Sequence, residues 1–200
     1  MSIAVLPIFN EGVDASLRAH RSRENGEFER ANTLDQRAIA AFDEVLGVDP
    51  SHLGAISGKG LCLAQLGRAL EAMQCFQRAT ELDPQFAENH RQLGLCHAEL
   101  GHIAPARTAT RRALELDGSP EQREQAAYDL CHFGHRAMGR AAEYRGQSEL
   151  DMERRCYKHA QELFALALEV DPGCGPARDG MDEARRGWEG RLQRPWWRVW

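Results

Sequence analysis

The chain has 200 residues, 42% of them apolar, with a formal charge of −5 and a pI near 5.9. That is enough apolar material for a continuous core and excludes global disorder, while the acidic balance gives no general attraction to phosphate backbones. Nucleic acid is therefore not expected as a partner. No run approaches the roughly 18 apolar residues of a membrane span, and the opening Met1–Phe9 has no cationic start and soon reaches Glu11, a poor secretion signal. The expected location is cytoplasmic, without membrane contact.

Residues 1–18 read as an N-terminal segment ahead of a first unit, 19–52. That unit carries Gly26, Ala38, Phe42, Val48 and Asp49-Pro50 in a register that later stretches repeat, but Glu29 and Asn32 stand where its first helix needs apolar residues. It reads as a degenerate end repeat. In the next unit, 53–86, Ile56, Gly60, Leu63 and Leu66 recur at spacings of three and four and predict one helix stripe, ended by Gly67. A second helix is predicted from about Leu70, with Ala72, Phe76, Ala79 and Leu82 inward, until Pro84 prevents continuation. Gly60 and Ala72 leave room for two backbones to approach, and Phe76 fills the gap toward the next unit.

Unit 87–120 repeats this in a 34-residue register: Gly94 falls on Gly60, Leu100-Gly101 on Leu66-Gly67, Ala106 on Ala72, Ala113 on Ala79 and Glu115-Leu116-Asp117 on Glu81-Leu82-Asp83. Thr110 stands where an aromatic is expected. From Glu121 to Arg145, Ala127, Leu130, Cys131, Gly134, Ala137, Met138 and Ala141 are spaced for one long helix, which Gly146 turns. A long return helix from about Glu149 to Glu169 makes an enlarged pair, 121–174. An amphipathic capping helix over 175–193 and an aromatic and basic tail over 194–200 complete the chain.

These small, leucine-glycine, alanine, aromatic and proline places resemble the tetratricopeptide repeat family. The resemblance is strong over 53–118, fair over 19–52 and 141–172, and weak elsewhere. It implies an all-α fold, a right-handed superhelical stack of helix pairs forming an α-solenoid. It also implies an inner groove, lined by first helices, that receives a peptide or helix of another protein.

Groove candidates are Ser57, Leu61, Ala64 and Gln65 from the second unit, with Arg91, Gln92, Leu95, Ala98 and Glu99 from the third. The apolar members would take apolar side chains of the partner, while Arg91 and Glu99 would fix its register by paired charge. Capture of the acidic tail of a heat-shock chaperone is not expected. The corresponding inward places hold Arg23 and Glu27, then Gly58, then Glu88 and Gln92, so a carboxylate would meet one arginine and two acids.

Cys62 and Cys96 share one place in successive repeats and read as buried free thiols, which fits a reducing compartment. Cys131 and His135 lie one helical turn apart, with His132 between them, and suit zinc; further ligands would have to come from His159 or Cys156. A core cysteine with surface histidines is the plainer reading, and no metal or cofactor is expected. Asp49, Asp83, Asp117 and Asp171 read as helix-end punctuation. No phosphate loop, nucleophile elbow or two-histidine catalytic motif occurs, so no enzymatic activity is expected.

The tail residues Arg194, Trp196, Trp197, Arg198 and Trp200 are of the types enriched at interface hot spots. They leave four readings open: docking on a partner, self-association into a homo-oligomer, packing back on their own chain, or, least expected, contact of the rings and guanidinium groups with an anionic lipid surface. The leading function is a non-enzymatic adaptor or chaperone-like module for a protein partner. The alternatives are a structural subunit assembled through its tail and a metal-binding accessory protein.

Overall fold

The computed structural model describes residues 5–147 and 149–192, which form nine α-helices and no strand. They fall into two compact units, Met1–Leu100 with Thr108–Leu116, and Gly101–Arg107 with Asp117–Trp200. The fold is an α-solenoid of tetratricopeptide-type helix pairs.

The first unit begins with α1 (Val5–Glu24) and α2 (Phe28–Val48), followed by α3 (Leu53–Gln65), α4 (Ala69–Leu82) and α5 (Ala87–Glu99). Helix α6 (Ile103–Leu116) contributes Thr108–Leu116 to this unit. Helices α3 and α4 form as their spacing predicts, with Ala72, Phe76 and Ala79 buried, but Leu82, expected inward, is 45% exposed at the end of α4. Phe76 of α4, 1% exposed, packs against α3, where a Cβ on Gly60 would come within 2.9 Å of its ring. Gly67 closes α3 at φ +74°, with its amide bonded to Ala64 O at 3.0 Å and the Arg68 amide to Leu63 O at 2.9 Å. A side chain at that φ would be strained, so glycine ends the helix.

The first pair departs from the expected register for a definable reason. Gly26 has φ +77°, with its amide on Arg23 O at 2.9 Å and the Glu27 amide on Ser22 O at 2.8 Å. That is the bonding of Gly67, so Gly26 is the turn glycine of the pair and not the small packing residue aligned with Gly60. The packing residue is Gly12, whose Cβ would meet the Phe42 ring at 2.8 Å. Glu29 and Asn32 thus belong to the exposed first turns of α2, a helix of 21 residues against the 14 of α4. Extra helical turns, and not sequence decay, make the repeat look degenerate. Helix α1 correspondingly runs from Val5 through the boundary drawn between residues 18 and 19, burying Val5, Gly12, Ala15, Ala19 and Ser22 on one stripe.

Helix α6 buries Ala106, Ala109, Thr110 and Ala113. The hydroxyl at Thr110 occupies the place that Phe76 takes in α4.

In the second unit, α7 (Pro120–Gly146) and α8 (Leu150–Val170) form the enlarged pair, and α9 (Gly175–Leu192) packs on both. Ser119 caps α7, its Oγ accepting from the Gln122 amide at 3.4 Å, with Pro120 in the first turn. Phe164 of α8 is fully buried between Gly134 of α7 and Gly180 of α9, where Cβ atoms would come within 2.7 and 2.5 Å of the ring. Helix α9 turns a small-residue stripe to α8 through Ala177, Gly180 and Ala184, all buried, with Gly187 set against the Tyr157 ring.

The aspartates mark corners. Asp49, Asp83 and Asp171 each close a helix in extended backbone, and each Oδ1 accepts from the amide two residues on, Ser51, Gln85 and Gly173, at 3.0, 3.0 and 2.8 Å. Asp117 does the same for Ser119 at 3.3 Å.

Candidate functional site

In the first unit α3 packs on both α1 and α5, so the three first helices are neighbours. On α1 and α3 the glycine that receives a phenylalanine ring, Gly12 and Gly60, fixes the rotation of the helix, and Gly94 holds that place on α5 by the repeat register. Counting from these glycines puts residues into rows. One position on stand Val13, Leu61 and Leu95; five on stand Leu17, Gln65 and Glu99; three back stand Phe9, Ser57 and Arg91. The +1 row is apolar throughout, with Leu61 37% exposed and Val13 and Leu95 half-buried.

The rows grade from apolar on α1 to polar on α5. Phe9 is wedged between the His52 ring at 4.7 Å and the Phe42 ring at 5.9 Å, and Leu17 is 54% exposed. At the other end, Glu88 accepts from Arg91 Nε at 2.8 Å, from Arg91 Nη2 at 2.7 Å and from Gln92 Nε2 at 2.7 Å. Between them, Ser57 Oγ lies 2.9 Å from Asn89 Oδ1 and donates to it. Asn89 is 1% exposed, and its Nδ2 finds no partner among the described residues.

The structure therefore brings Ser57, Leu61, Arg91, Gln92, Leu95 and Glu99 onto adjoining first helices, with Ala64 half-buried and Gln65 exposed beside them. Ala98 is a correction: it is 0% exposed, packed into the core, and offers no surface. Arg91 is also engaged differently from expectation, since its fork closes on Glu88 of its own helix. Phe9, Val13 and Leu17 escape the sequence reading because it places them ahead of the first unit and not on a first helix. The spacing of Val5, Gly12, Ala15 and Ala19 carries that signal.

Two residues weighed against chaperone-tail capture also sit elsewhere. Arg23 is paired with the buried Asp35, and Glu27 is the cap residue of α2 and bonds Arg30 at 2.9 Å. Gly58 faces the Phe42 ring, which a Cβ at that position would approach to 2.6 Å, so it forms packing and not open groove.

The thiols are shielded. Burial pushes the Cys62 and Cys96 thiols up to about 12, in the former case against the opposing effect of the Ser16 hydroxyl. His135 packs edge-on against Phe164 at 5.1 Å and His132 against Phe133 at 5.9 Å, while Cys131 lies against Cys174. Among the described residues no group of three or more His, Cys, Asp or Glu is placed to hold a metal ion, and no helix is long and apolar enough to cross a membrane. The tail residues Arg194, Trp196, Trp197, Arg198 and Trp200 lie outside the described residues.

Comparison with known proteins agrees with this architecture. Residues 55–86 match the tetratricopeptide repeat family model. A crystal structure of MamA protein is similar to the chain at TM-score 0.53 and 20% identity, covering 96% of this chain and 92% of that one. A MamA RS-1 double mutant gives 0.50 at 17%, covering 86% and 79%. The Thermobaculum terrenum O-GlcNAc transferase gives 0.50 at 20%, covering 72% of this chain but 28% of the transferase. No curated protein matches the sequence at a significant level. At these identities the likeness is one of fold.

Proposed function

We propose that this tetratricopeptide-repeat chain is a non-enzymatic protein-interaction module, an adaptor or chaperone-like scaffold, that takes a peptide or helical segment of a partner protein across α1, α3 and α5. The observation that carries it is the row Val13, Leu61 and Leu95. It is apolar and partly open on every first helix of the unit, and it runs beside the hydrogen-bonded Glu88, Arg91 and Gln92 cluster. The row would bury apolar side chains of the bound segment, and the cluster would meet its polar flank. Because the helices are already packed, the scaffold loses little further entropy, and most of the ordering cost falls on the incoming segment. The grading from Phe9 and Leu17 to Arg91 and Glu99 would give that segment a direction. We further place the protein in a reducing compartment, the cytoplasm, a reading supported by its unbridged buried cysteines.

The test is a peptide selected from a random display library on the full chain, with its affinity measured calorimetrically against wild type and Leu61→Glu. Leu61 is exposed enough for the variant to fold, which far-UV circular dichroism checks. A loss of about tenfold or more, equal to about 1.4 kcal/mol, supports the reading. Unchanged affinity in a folded variant removes it.

A further inference from the structure

The second unit contains a pair of sulfurs that the binding surface does not use. Cys131, in the middle of α7, is 2% exposed, and Cys174, in the turn between α8 and α9, is half-buried. Their Sγ atoms are 3.6 Å apart and both thiols are free. A disulfide needs about 2.05 Å, so the sulfurs have to approach by about 1.5 Å, within reach of small side-chain rotations at a turn residue. We infer that Cys131 and Cys174 are a redox pair, joined by a disulfide when the protein meets hydrogen peroxide and reopened by a dithiol.

The chemistry has an order set by burial. The thiolate of Cys174, the more open sulfur, attacks one peroxide oxygen; the O–O bond breaks, Cys174 becomes a sulfenic acid, and the departing hydroxide takes a proton to leave as water. Cys131 then attacks the sulfenic sulfur. The S–S bond forms, the S–O bond breaks, and the thiol proton of Cys131 leaves with the hydroxide as a second water. Two electrons have passed from the sulfurs to one peroxide. Burial and the neighbouring Cys174 push the Cys131 thiol up to about 12, which keeps it protonated and protects it from direct attack by peroxide, so that its attack on the sulfenic sulfur rests on the 3.6 Å proximity of the two sulfurs. A dithiol returns the two electrons and becomes a cyclic disulfide itself.

The bond would link positions 43 residues apart and enclose the whole of α8. It ties the middle of α7 to the residue before Gly175, where α9 starts, so its mechanical effect falls on α9. This helix is seated by the small residues Ala177, Gly180 and Ala184, and a covalent anchor at its first turn opposes local opening.

The experiment treats the reduced full chain with hydrogen peroxide, counts free thiols after denaturation, maps cross-linked peptides and follows amide exchange in α9. The expected product has lost two of the six thiols and two hydrogens of mass, carries a Cys131–Cys174 bridge, exchanges α9 amides about tenfold more slowly and reverts with a dithiol. In Cys131→Ala, the Cys174 sulfenic acid should persist and be trapped by a cyclic 1,3-dione. Cys174→Ser, at a half-exposed turn position that tolerates a hydroxyl, should show no bridge while remaining folded. A bridge between other cysteines, a disulfide between chains, or six surviving thiols under peroxide that oxidises free cysteine would each overturn the inference.

Discussion

Pair α1–α2 and pair α7–α8 both end in a 21-residue second helix, and both set a phenylalanine, Phe42 or Phe164, between a glycine of their own first helix and a glycine of the helix that follows. At one fixed offset Gly134, Ala137, Ala141, Arg145, Ala160, Phe164 and Asp171-Pro172 repeat Gly12, Ala15, Ala19, Arg23, Ala38, Phe42 and Asp49-Pro50, and Gly180 of α9 repeats Gly58 of α3. By this correspondence α9 is a first helix. What differs is the opposite face. Helix α3 presents Ile56, Gly60 and Leu63, all buried, and receives α4; α9 has exposed Arg178, Asp182 and Arg185 at those places. The same scaffold thus receives a further helix on that face in one case and, among the described residues, presents three exposed charged side chains in the other.

The ion pairs vary on the same scaffold. Arg23 meets Asp35, and Arg145 meets Glu153, one helical turn nearer the start of its helix, with Tyr157 taking the place of Asp35 and its hydroxyl 2.5 Å from Arg145. Both carboxylates are 2% exposed, but Arg23 is 19% exposed and Arg145 45%. The lock in the first pair is therefore the drier.

The correspondence is broken most directly by removing the shared ring. Phe42→Ala and Phe164→Ala should each destabilise by about 3–5 kcal/mol in chemical denaturation, since each opens a cavity against two glycines that cannot fill it. A cost under about 1 kcal/mol at either would show that the two pairs do not share one packing plan.

Separating the arginines sharpens the comparison. Arg23→Ala leaves Asp35 buried without its cation and should cost about 3–5 kcal/mol. Arg145→Ala should cost less, about 1.5–3 kcal/mol, because water reaches the vacated place beside Glu153. Equal melting shifts would refute the difference in dryness.

A third variant converts the closed face into the open one. Arg178→Ile with Asp182→Gly and Arg185→Leu gives α9 the residues of α3, and sedimentation should show stronger concentration-dependent self-association than the wild type over the same range. A triple variant that associates no more than the wild type would mean that charge at this face of α9 is not what keeps it from pairing. The smallest effect is at the corners. The Ser51 hydroxyl and amide hold the Asp49 carboxyl below its usual value, so its contribution is present above about pH 4 and is lost as pH falls further. Wild type and Asp49→Asn should differ in melting temperature near neutrality and converge on acidification.

The legible parts of the fold are those where one residue has one mechanical task. Gly60, Ala72, Phe76 and Gly67 read correctly because their spacing is that of the compact unit. The first pair misleads because Gly26 and Phe42 are separated as Gly60 and Phe76 are, although extra turns in α2 make the former a turn residue and shift packing to Gly12. Periodicity alone does not distinguish a glycine that bends a chain from one that receives a ring. At the surface, Leu61 and Leu95 are legible as neighbours of repeat glycines, whereas Ala98 is not. Ala64 and Ala98 hold the same register position, yet the first is half-buried and the second fully buried, and no property of the alanine itself records the difference.

The central claim is that a partner segment lies along the row Val13, Leu61 and Leu95, and site-specific photo-crosslinking tests it most directly. A benzophenone side chain at position 61, compared with one at Leu150, also exposed, is irradiated with the library-selected peptide bound. Cross-linking at 61, none at 150, and competition by unlabelled peptide are predicted. Equal labelling at both positions, or labelling at 150 alone, would contradict the account.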